Sequence, residues 1–283
     1  MDTDQFFDPK FVHDSYKTRD GLATRILSHE RYSLQTENVF DIMTRHALTL
    51  SVPRKILDIG AGTGAWYQRI RQLVGRHCLY EAVDQSPAMV KQLENRLQGD
   101  PKASVRHGRA EAPDESPESF DWVGLHFMLY HVSDISDVLS KAWALVRPGG
   151  LLLTGTNGSN SYREMRVYHE QVVRTLGIPY EPPSGIDRFS LANGAQFFPV
   201  PVHIVEEPAG LLFPGVGPYL SYYGSGFCWQ GIPARYRQSA LKEQLLRTME
   251  NVVRPHFHQY GHLKLSNSSG YFWARKTQSE RSD

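Results

Sequence analysis

Two cysteines in 283 residues, Cys78 and Cys228, are too few for a disulfide framework, and their scarcity suits a reducing compartment. Neither has a neighbouring histidine and acid to mark a nucleophile, so structural roles are expected for both. No apolar stretch approaches the ~18 residues needed to span a bilayer. Charge of neither sign prevails: 31 Lys and Arg stand against 30 Asp and Glu, a formal +1. No broad positive field is available to hold a long nucleic acid. The start, MDTDQFFDPK, carries neither the basic stretch nor the apolar core of a secretory leader. Internal repeats and low-complexity tracts are absent. His256, His258 and His262 crowd together in HFHQYGH, but no cysteine accompanies them, and no metal site is expected. These shortages lead us to expect a cytoplasmic protein with no membrane and no long nucleic acid as partner; a monomer or homodimer is expected, though nothing in the composition chooses between them.

What is present is an ordinary globular composition, 40% apolar and 22% charged, long enough to bury a large core. Val39, Met43 and Ala47 share one helical face in residues 36–48. Strands and helices then alternate. KILDI (55–59), LYEAVD (79–84), SVRHG (104–108), FDWVGLHF (120–127) and LLLTG (151–155) read as strands. Helices are predicted from Gly64 through Gln72, after the Ser86–Pro87 start signal, and over 134–146, where RPGG (147–150) stops the last one. Such alternation over ~100 residues implies a parallel sheet covered by helices on both faces. Arg69, Arg71 and Arg76 read as a solvated helix face, and Asp114, Glu115 and Glu118 as an exposed loop. Residues 177–235 are rich in proline, glycine and aromatics, with VHIVEE as a strand. A helix follows over about 234–254, and the chain closes on a strand-like HLKLSNSSGYFWARK. The later half is expected to add two strands to the same sheet and an inserted lid.

The stretch KILDIGAGTGAWY sets Gly60, Gly62 and Gly64 directly after the first strand. Glycine there permits a sharp turn and lets a ligand lie against bare backbone. The following helix offers free N–H groups and positive potential. In an open parallel sheet this is where ligands bind. The loop also satisfies the loose dinucleotide pattern, with Ala65 in its last position. Asp58, two residues before the first glycine, would repel a pyrophosphate and suits a ligand bearing an ammonium. Asp84, ending the second strand, can accept from both hydroxyls of a ribose.

The ordered set ILDIGAGTG, Asp84 before QSPAMV, GRAEAP, SFDWVGLHFMLYHVSD and LVRPGGLLLTGTNG, across residues 54–158, resembles the class I S-adenosylmethionine-dependent methyltransferases, in particular small-molecule members of the methyltransferase-domain 11/25 type. RILSHERYS (25–33) is similar to the segment that precedes the core in such enzymes. The resemblance implies a Rossmann-like, doubly wound, seven-stranded, mostly parallel sheet with an antiparallel last strand and an inserted, aromatic-rich α lid. It implies an N-terminal helical cap (1–50), a cofactor-binding core (51–160), and the remaining strands (161–283) with a substrate lid at about 177–255. S-adenosylmethionine is the implied cofactor. Asp58, Gly60, Ala61 and Gly62 would serve its methionine moiety and Asp84 its ribose. Gln85, Met89 and the Ala110 N–H would serve its adenine, with Tyr32 as a further contact. Arg109 stands where many relatives carry an acid, and a guanidinium cannot accept, so either Glu111 takes the adenine amino group or Arg109 stacks on the ring. His126 would face the sulfonium side. His131 is the first candidate base, His126 the second, and Tyr130 lies on the same loop; packing or orientation is the alternative role for the histidines. Tyr130, Tyr219, Tyr222, Tyr223, Phe227 and Trp229 would wall a pocket for a small acceptor, or else the lid rings fill the lid's own core.

The activity so implied is methyl transfer to an O, N or activated C of a small organic molecule, as in secondary or specialised metabolism. A methyltransferase for tRNA or a protein side chain, a non-catalytic S-adenosylmethionine-binding protein and a nicotinamide dehydrogenase are the competing expectations.

Overall fold

The structure is a computed structural model and describes residues 19–35, 37–158, 162–181 and 188–277. The first 18 residues of the expected 1–50 cap therefore lie outside the described residues. The chain divides into two compact units: Glu37–Ser159, Asp187–Glu207 and Ser269–Asp283 form one, and Met1–Thr36, Asn160–Ile186 and Pro208–Ser268 the other.

The first unit is built on strands β1 (Lys55–Ile59), β2 (Leu79–Asp84), β3 (Ala103–His107), β4 (Phe120–Leu125) and β5 (Val146–Asn157). With β6 (His203–Phe213) and β7 (Leu263–Arg275), which run through both units, they make a seven-stranded sheet of order β3-β2-β1-β4-β5-β7-β6. β3, β2, β1, β4 and β5 are mutually parallel, and β7 runs antiparallel to β5. Both faces of a parallel sheet must be covered. On one face Ile56, Tyr80, Trp122 and Leu151 pack with Met43 and Ala47 of α2 (Val39–Leu50) and Trp66 and Ile70 of α3 (Ala65–Leu73). Leu93 and Leu97 of α4 (Pro87–Leu97) join the same cluster. On the other face Leu57, Val123, Leu125 and Leu152 meet Val138, Leu139 and Ala142 of α5 (Ile135–Leu145).

Local signals place the helix ends. Asn38 Oδ1 accepts from the Phe40 N–H at 2.9 Å and caps α2. Ser86 caps α4 with Pro87 in its first turn, and Asp134 accepts from the Asp137 N–H at 2.9 Å to cap α5. RPGG ends α5 as expected, but its residues already belong to β5, where the register with β4 shifts between Phe120 and Trp122. Two sequence expectations are corrected in this unit. Arg71 is half-buried, its side chain only 10% exposed; Nε donates to Asp100 at 2.5 Å and Nη1 to the Gly75 carbonyl at 3.0 Å. Glu115 is half-buried rather than exposed, its side chain 10% exposed where Arg106 pairs with it at 2.5 Å.

The second unit contains α1 (Arg19–Tyr32), α6 (Arg163–Thr175), α7 (Val216–Gly224) and α8 (Ser239–Tyr260). Leu245, Met249, Val253 and Phe257 recur every fourth residue along α8 and are buried against Val172, Val173 and Tyr219. Glu164 of α6 accepts from the Ser266 N–H at 2.8 Å and from its hydroxyl at 2.5 Å, tying the helix to β7. The expected cap is thus divided: α1 groups with this unit, while α2 buries Met43 and Ala47 on the sheet. The expected lid is divided as well, since Asp187–Glu207 returns to the sheet unit. No helix among the described residues is long and apolar enough to cross a membrane.

Candidate active site

β1 and β4 are neighbours at the point where strand order reverses, the place where an open α/β sheet forms a crevice. The glycine turn lies there. Its start is fastened to β2, because the Gly60 and Ala61 N–H groups both donate to the Val83 carbonyl, at 2.7 and 3.1 Å. Gly60, Gly62 and Gly64 all take the left-handed conformation, with φ of 71°, 54° and 81°, which other residues adopt only under strain. Their surroundings differ. A Cβ on Gly60 would stand 2.8 Å from Met128 Cγ, and one on Gly64 would stand 2.5 Å from Leu93 Cδ1. A Cβ on Gly62 would meet nothing within 4 Å. Gly60 and Gly64 are bare because protein packs on them; Gly62 is bare beside open space.

Asp84 ends β2 with both carboxylate oxygens in use: Oδ2 accepts from the Gly62 N–H and Oδ1 from the Ser86 N–H, each at 2.8 Å. Burial pushes its pKa up, and the two N–H donors oppose that rise. Each oxygen keeps a second lone pair for a hydroxyl. Asp58 lies deeper on β1, 2% exposed, and accepts from the Tyr80 hydroxyl. Burial raises its pKa to about 7; the Tyr80 hydrogen bond lowers it and the nearby Asp84 charge adds to the rise. A carboxyl at the glycine turn, a second one buried near it and open space at Gly62 suit a ligand that carries an ammonium and a sugar diol, so the residues present fit S-adenosylmethionine.

The segment after β3 completes this edge. The Gly108 N–H donates to the Asp84 carbonyl at 3.0 Å, and His107 Nε2 lies 2.9 Å from the Gln85 carbonyl. Gln85 is exposed, Met89 half-buried and Ala110 buried. Arg109 and Glu111 pair with each other at 3.5 Å, and Lys141 donates to the Glu111 carbonyl at 2.8 Å.

His126, just past β4, is buried. Its Nδ1 accepts from the Gly155 N–H at 3.1 Å, so the neutral ring carries its proton on Nε2, which has no partner. The ring sits edge-on to Trp66 at 4.4 Å and to Phe40 at 5.5 Å. Burial drives its pKa down to about 3. Phe127 follows at φ 55°, its N–H donating to the Gly155 carbonyl at 2.8 Å. A short 3-10 turn, Leu129–His131, then carries the candidate loop. Arg188 clamps that loop: Nη1 donates to the Tyr130 carbonyl at 3.0 Å and Nη2 to the Val132 carbonyl at 2.7 Å. Both ring nitrogens of His131 are buried without a hydrogen bond. Burial first, and the Arg188 charge second, lower its pKa to about 4. The Tyr130 ring lies 4.5 Å from it.

Asp58, Gly60, Ala61, Gly62, Asp84, Gln85, Met89, Arg109, Ala110, Glu111, His126, Tyr130 and His131 thus all belong to the sheet unit. Tyr32, Tyr219, Tyr222, Tyr223, Phe227 and Trp229 belong to the other. Within that unit Tyr219, Tyr222 and Tyr223 are fully buried core residues. Their hydroxyls are engaged by Met249 Sδ (3.6 Å), His29 Nε2 (3.2 Å) and His169 Nδ1 (2.6 Å). Phe227, Trp229 and Tyr32 are half-buried, Tyr32 with its ring 5.2 Å from Phe213. Sequence reasoning missed Tyr80, Met128 and Arg188. Alternation along β2 puts Tyr80 on the face of Asp84 and could have exposed the first; nothing local announces the other two.

A strand order of 3-2-1-4-5, a glycine turn at its reversal and a carboxylate closing the second strand define a nucleoside-binding α/β domain. Residues 56–150 match the family described as methyltransferase domain. Over 127 residues the chain is 29% identical to demethylmenaquinone methyltransferase of Lysinibacillus sphaericus, covering 44% of this chain and 54% of that one. Over 108 residues it is 33% identical to a ubiquinone biosynthesis O-methyltransferase of Pseudomonas fluorescens, covering 38% of this chain and 46% of that one. The chain spans about half the length of these curated relatives. Among solved structures, the YcgJ protein of Bacillus subtilis superposes with a TM-score of 0.56 at 18% identity, over 85% of this chain and 99% of that one. Phosphoethanolamine N-methyltransferase 2 of Haemonchus contortus gives 0.52 at 14% identity, over 96% and 60%. At such identities these two speak for the fold alone. Residues 56–150 are a class I, S-adenosylmethionine-dependent methyltransferase domain.

Proposed function

We propose that the chain is a methyltransferase that moves a methyl group from S-adenosylmethionine to an O, N or activated C of a small organic acceptor. The observation that carries this reading is the glycine turn: Gly62 is bare beside open space while its N–H is held by Asp84. Bound S-adenosylmethionine supplies an electrophilic methyl on a positively charged sulfur. The chain's part is to bind, orient and exclude water. Asp58 backs the glycine turn and answers an ammonium. Gly60, Ala61 and Gly62 line the amino-acid portion with main chain. Asp84 takes ribose hydroxyls, and Gln85, Met89 and Ala110 flank adenine. With Arg109 paired to Glu111, the ion pair as a whole borders the ring.

Of the two histidines, His131 is the better proton acceptor. His126 spends Nδ1 on the Gly155 N–H and could gain a proton there only by losing that bond. His131 is neutral at pH 7 with both nitrogens unengaged, so it can take a proton from an acceptor that starts protonated, and Tyr130 beside it contacts the acceptor.

A thermal-shift panel with S-adenosylhomocysteine and NADH tests the cofactor. The homocysteine compound at 100 times its dissociation constant should add ~2.7 kcal/mol to stability; protection by NADH instead would overturn the reading. Methyl-labelled cofactor and a metabolite extract then test turnover, with label expected in a small molecule. Label confined to RNA or protein would overturn the acceptor class, and no labelled product would leave a binding protein.

A further inference from the structure

Within the second unit, α1 sets Arg25 and His29 one turn apart, on the same side of the helix. His29 Nε2 lies 3.2 Å from the Tyr222 hydroxyl and 3.2 Å from the Tyr162 hydroxyl. The Tyr162 and Tyr222 rings stand 6.1 Å apart, and Phe227 packs on both, at 5.4 and 5.0 Å. Arg25 brings a charge to this cluster: burial lowers the pKa of His29 and raises those of Tyr162 and Tyr222, and the Arg25 charge adds to the first shift and opposes the other two. Its Nε is buried without a hydrogen bond. Among the described residues no carboxylate pairs with its guanidinium. A cation drawn into protein is ordinarily paired, because desolvation without a counter-ion is costly. Here no described residue supplies the pairing group, while a rigid fork of donors lies one turn from His29, where the two phenolic hydroxyls meet. Arg25, His29, Tyr162 and Phe227 are all half-buried, so the cluster reaches the surface.

We infer that Arg25, His29, Tyr162 and Tyr222 form a subsite for the anionic group, a carboxylate or a phosphate, of a small ligand whose apolar part lies on Phe227. The binding of an anion here does not rest on the proposed function. The guanidinium supplies the charge and a planar pair of donors, the half-buried Tyr162 hydroxyl supplies a further hydrogen bond, the buried Tyr222 hydroxyl holds His29 from behind, and the aromatic ring gives a flat apolar wall.

Calorimetric titration of the full chain with benzoate, inorganic phosphate and neutral benzamide tests this. At least one anion should bind saturably and at least about tenfold more tightly than benzamide, the scale of one charge-assisted contact. Benzoate alone identifies a carboxylate ligand, phosphate alone a phosphate ester, and both the shared chemistry. Arg25→Met should weaken that binding by about tenfold or more and leave S-adenosylhomocysteine affinity unchanged. Tyr162→Phe and Tyr222→Phe, which remove neither ring nor charge, should each weaken it several-fold. The subsite is overturned if neither anion outbinds benzamide, or if the anion binds Arg25→Met or both tyrosine variants as it binds the wild type. Failure of the unaltered chain to bind S-adenosylhomocysteine would sink the proposed function and leave the subsite standing.

Discussion

Asp58 places a carboxyl in the interior with the Tyr80 hydroxyl as its partner, and burial holds its pKa at about 7. At neutral pH the group is close to half protonated. An ammonium arriving at the glycine turn favours the anion, so ligand binding should expel protons. We expect S-adenosylhomocysteine to release up to about half a proton at pH 7, read as a dependence of the binding heat on the buffer's own ionisation heat. The release should vanish in Asp58→Asn. Asp84 acts at the same turn but more openly. Asp84→Ala should weaken S-adenosylhomocysteine by about 1–3 kcal/mol, and part of that loss is the Gly62 N–H set free. Gly62→Val would extend a side chain into the open space of the turn and should abolish binding. The fold should survive, at a backbone cost of about 1–2 kcal/mol. Near-normal affinity in both variants, by calorimetry, would refute the placement.

The element that governs the candidate chemistry is the segment between β4 and α5. It is bounded by two fixed points, the Phe127 N–H on the Gly155 carbonyl and the Asp134 cap. Between them the Arg188 guanidinium grips two carbonyls on either side of His131. The same charge discourages a second cation, so it helps to keep His131 neutral. Arg188→Met should move the His131 titration upward, toward its ordinary value of about 6.5, as followed by histidine NMR. It should also loosen the loop, seen as faster amide exchange at His131 and Val132. An unmoved His131 would show that burial alone sets its charge. None of this was readable locally. Arg188 lies 56 residues from Val132, and no periodicity links the two.

At the scale of the whole molecule these shifted groups combine in the pH dependence of stability. His126 and His131 have folded pKa values of about 3 and about 4, below the unfolded value of about 6.5. Between these values the unfolded chain binds more protons, so each histidine makes stability rise with pH. His29 and His169, also lowered by burial, act in the same direction. Asp58 opposes them: its folded pKa of about 7 lies above the unfolded ~3.9, so its stabilisation is lost as pH rises through 7. Asp84, raised more modestly, does likewise. The histidines outnumber the acids, so the unfolding temperature of the ligand-free protein should climb from about pH 4.5 to 6.5 and fall slightly beyond, by calorimetry. A steady decline across the lower range would contradict the balance.

Local chemistry alone determined a good part of this protein. Alternation marked the strands, Ser86–Pro87 and RPGG marked helix ends, and three glycines marked a turn that only glycine adopts without strain; the family came from the resemblance of the ordered motifs across residues 54–158. These signals are legible because backbone conformation and residue period are properties of neighbours in the chain. Burial and partnership are not. Only the tertiary structure decided that Gly155 occupies His126, that Met128 lies over Gly60, that Tyr80 answers Asp58 and that Arg71 pairs with Asp100. The fate of the lid aromatics was decided there too: Tyr219, Tyr222 and Tyr223 went to a core and Phe227 kept an exposed edge. Each of these depends on which distant segment the fold brings into contact, and that is set by the packing of whole elements against one another.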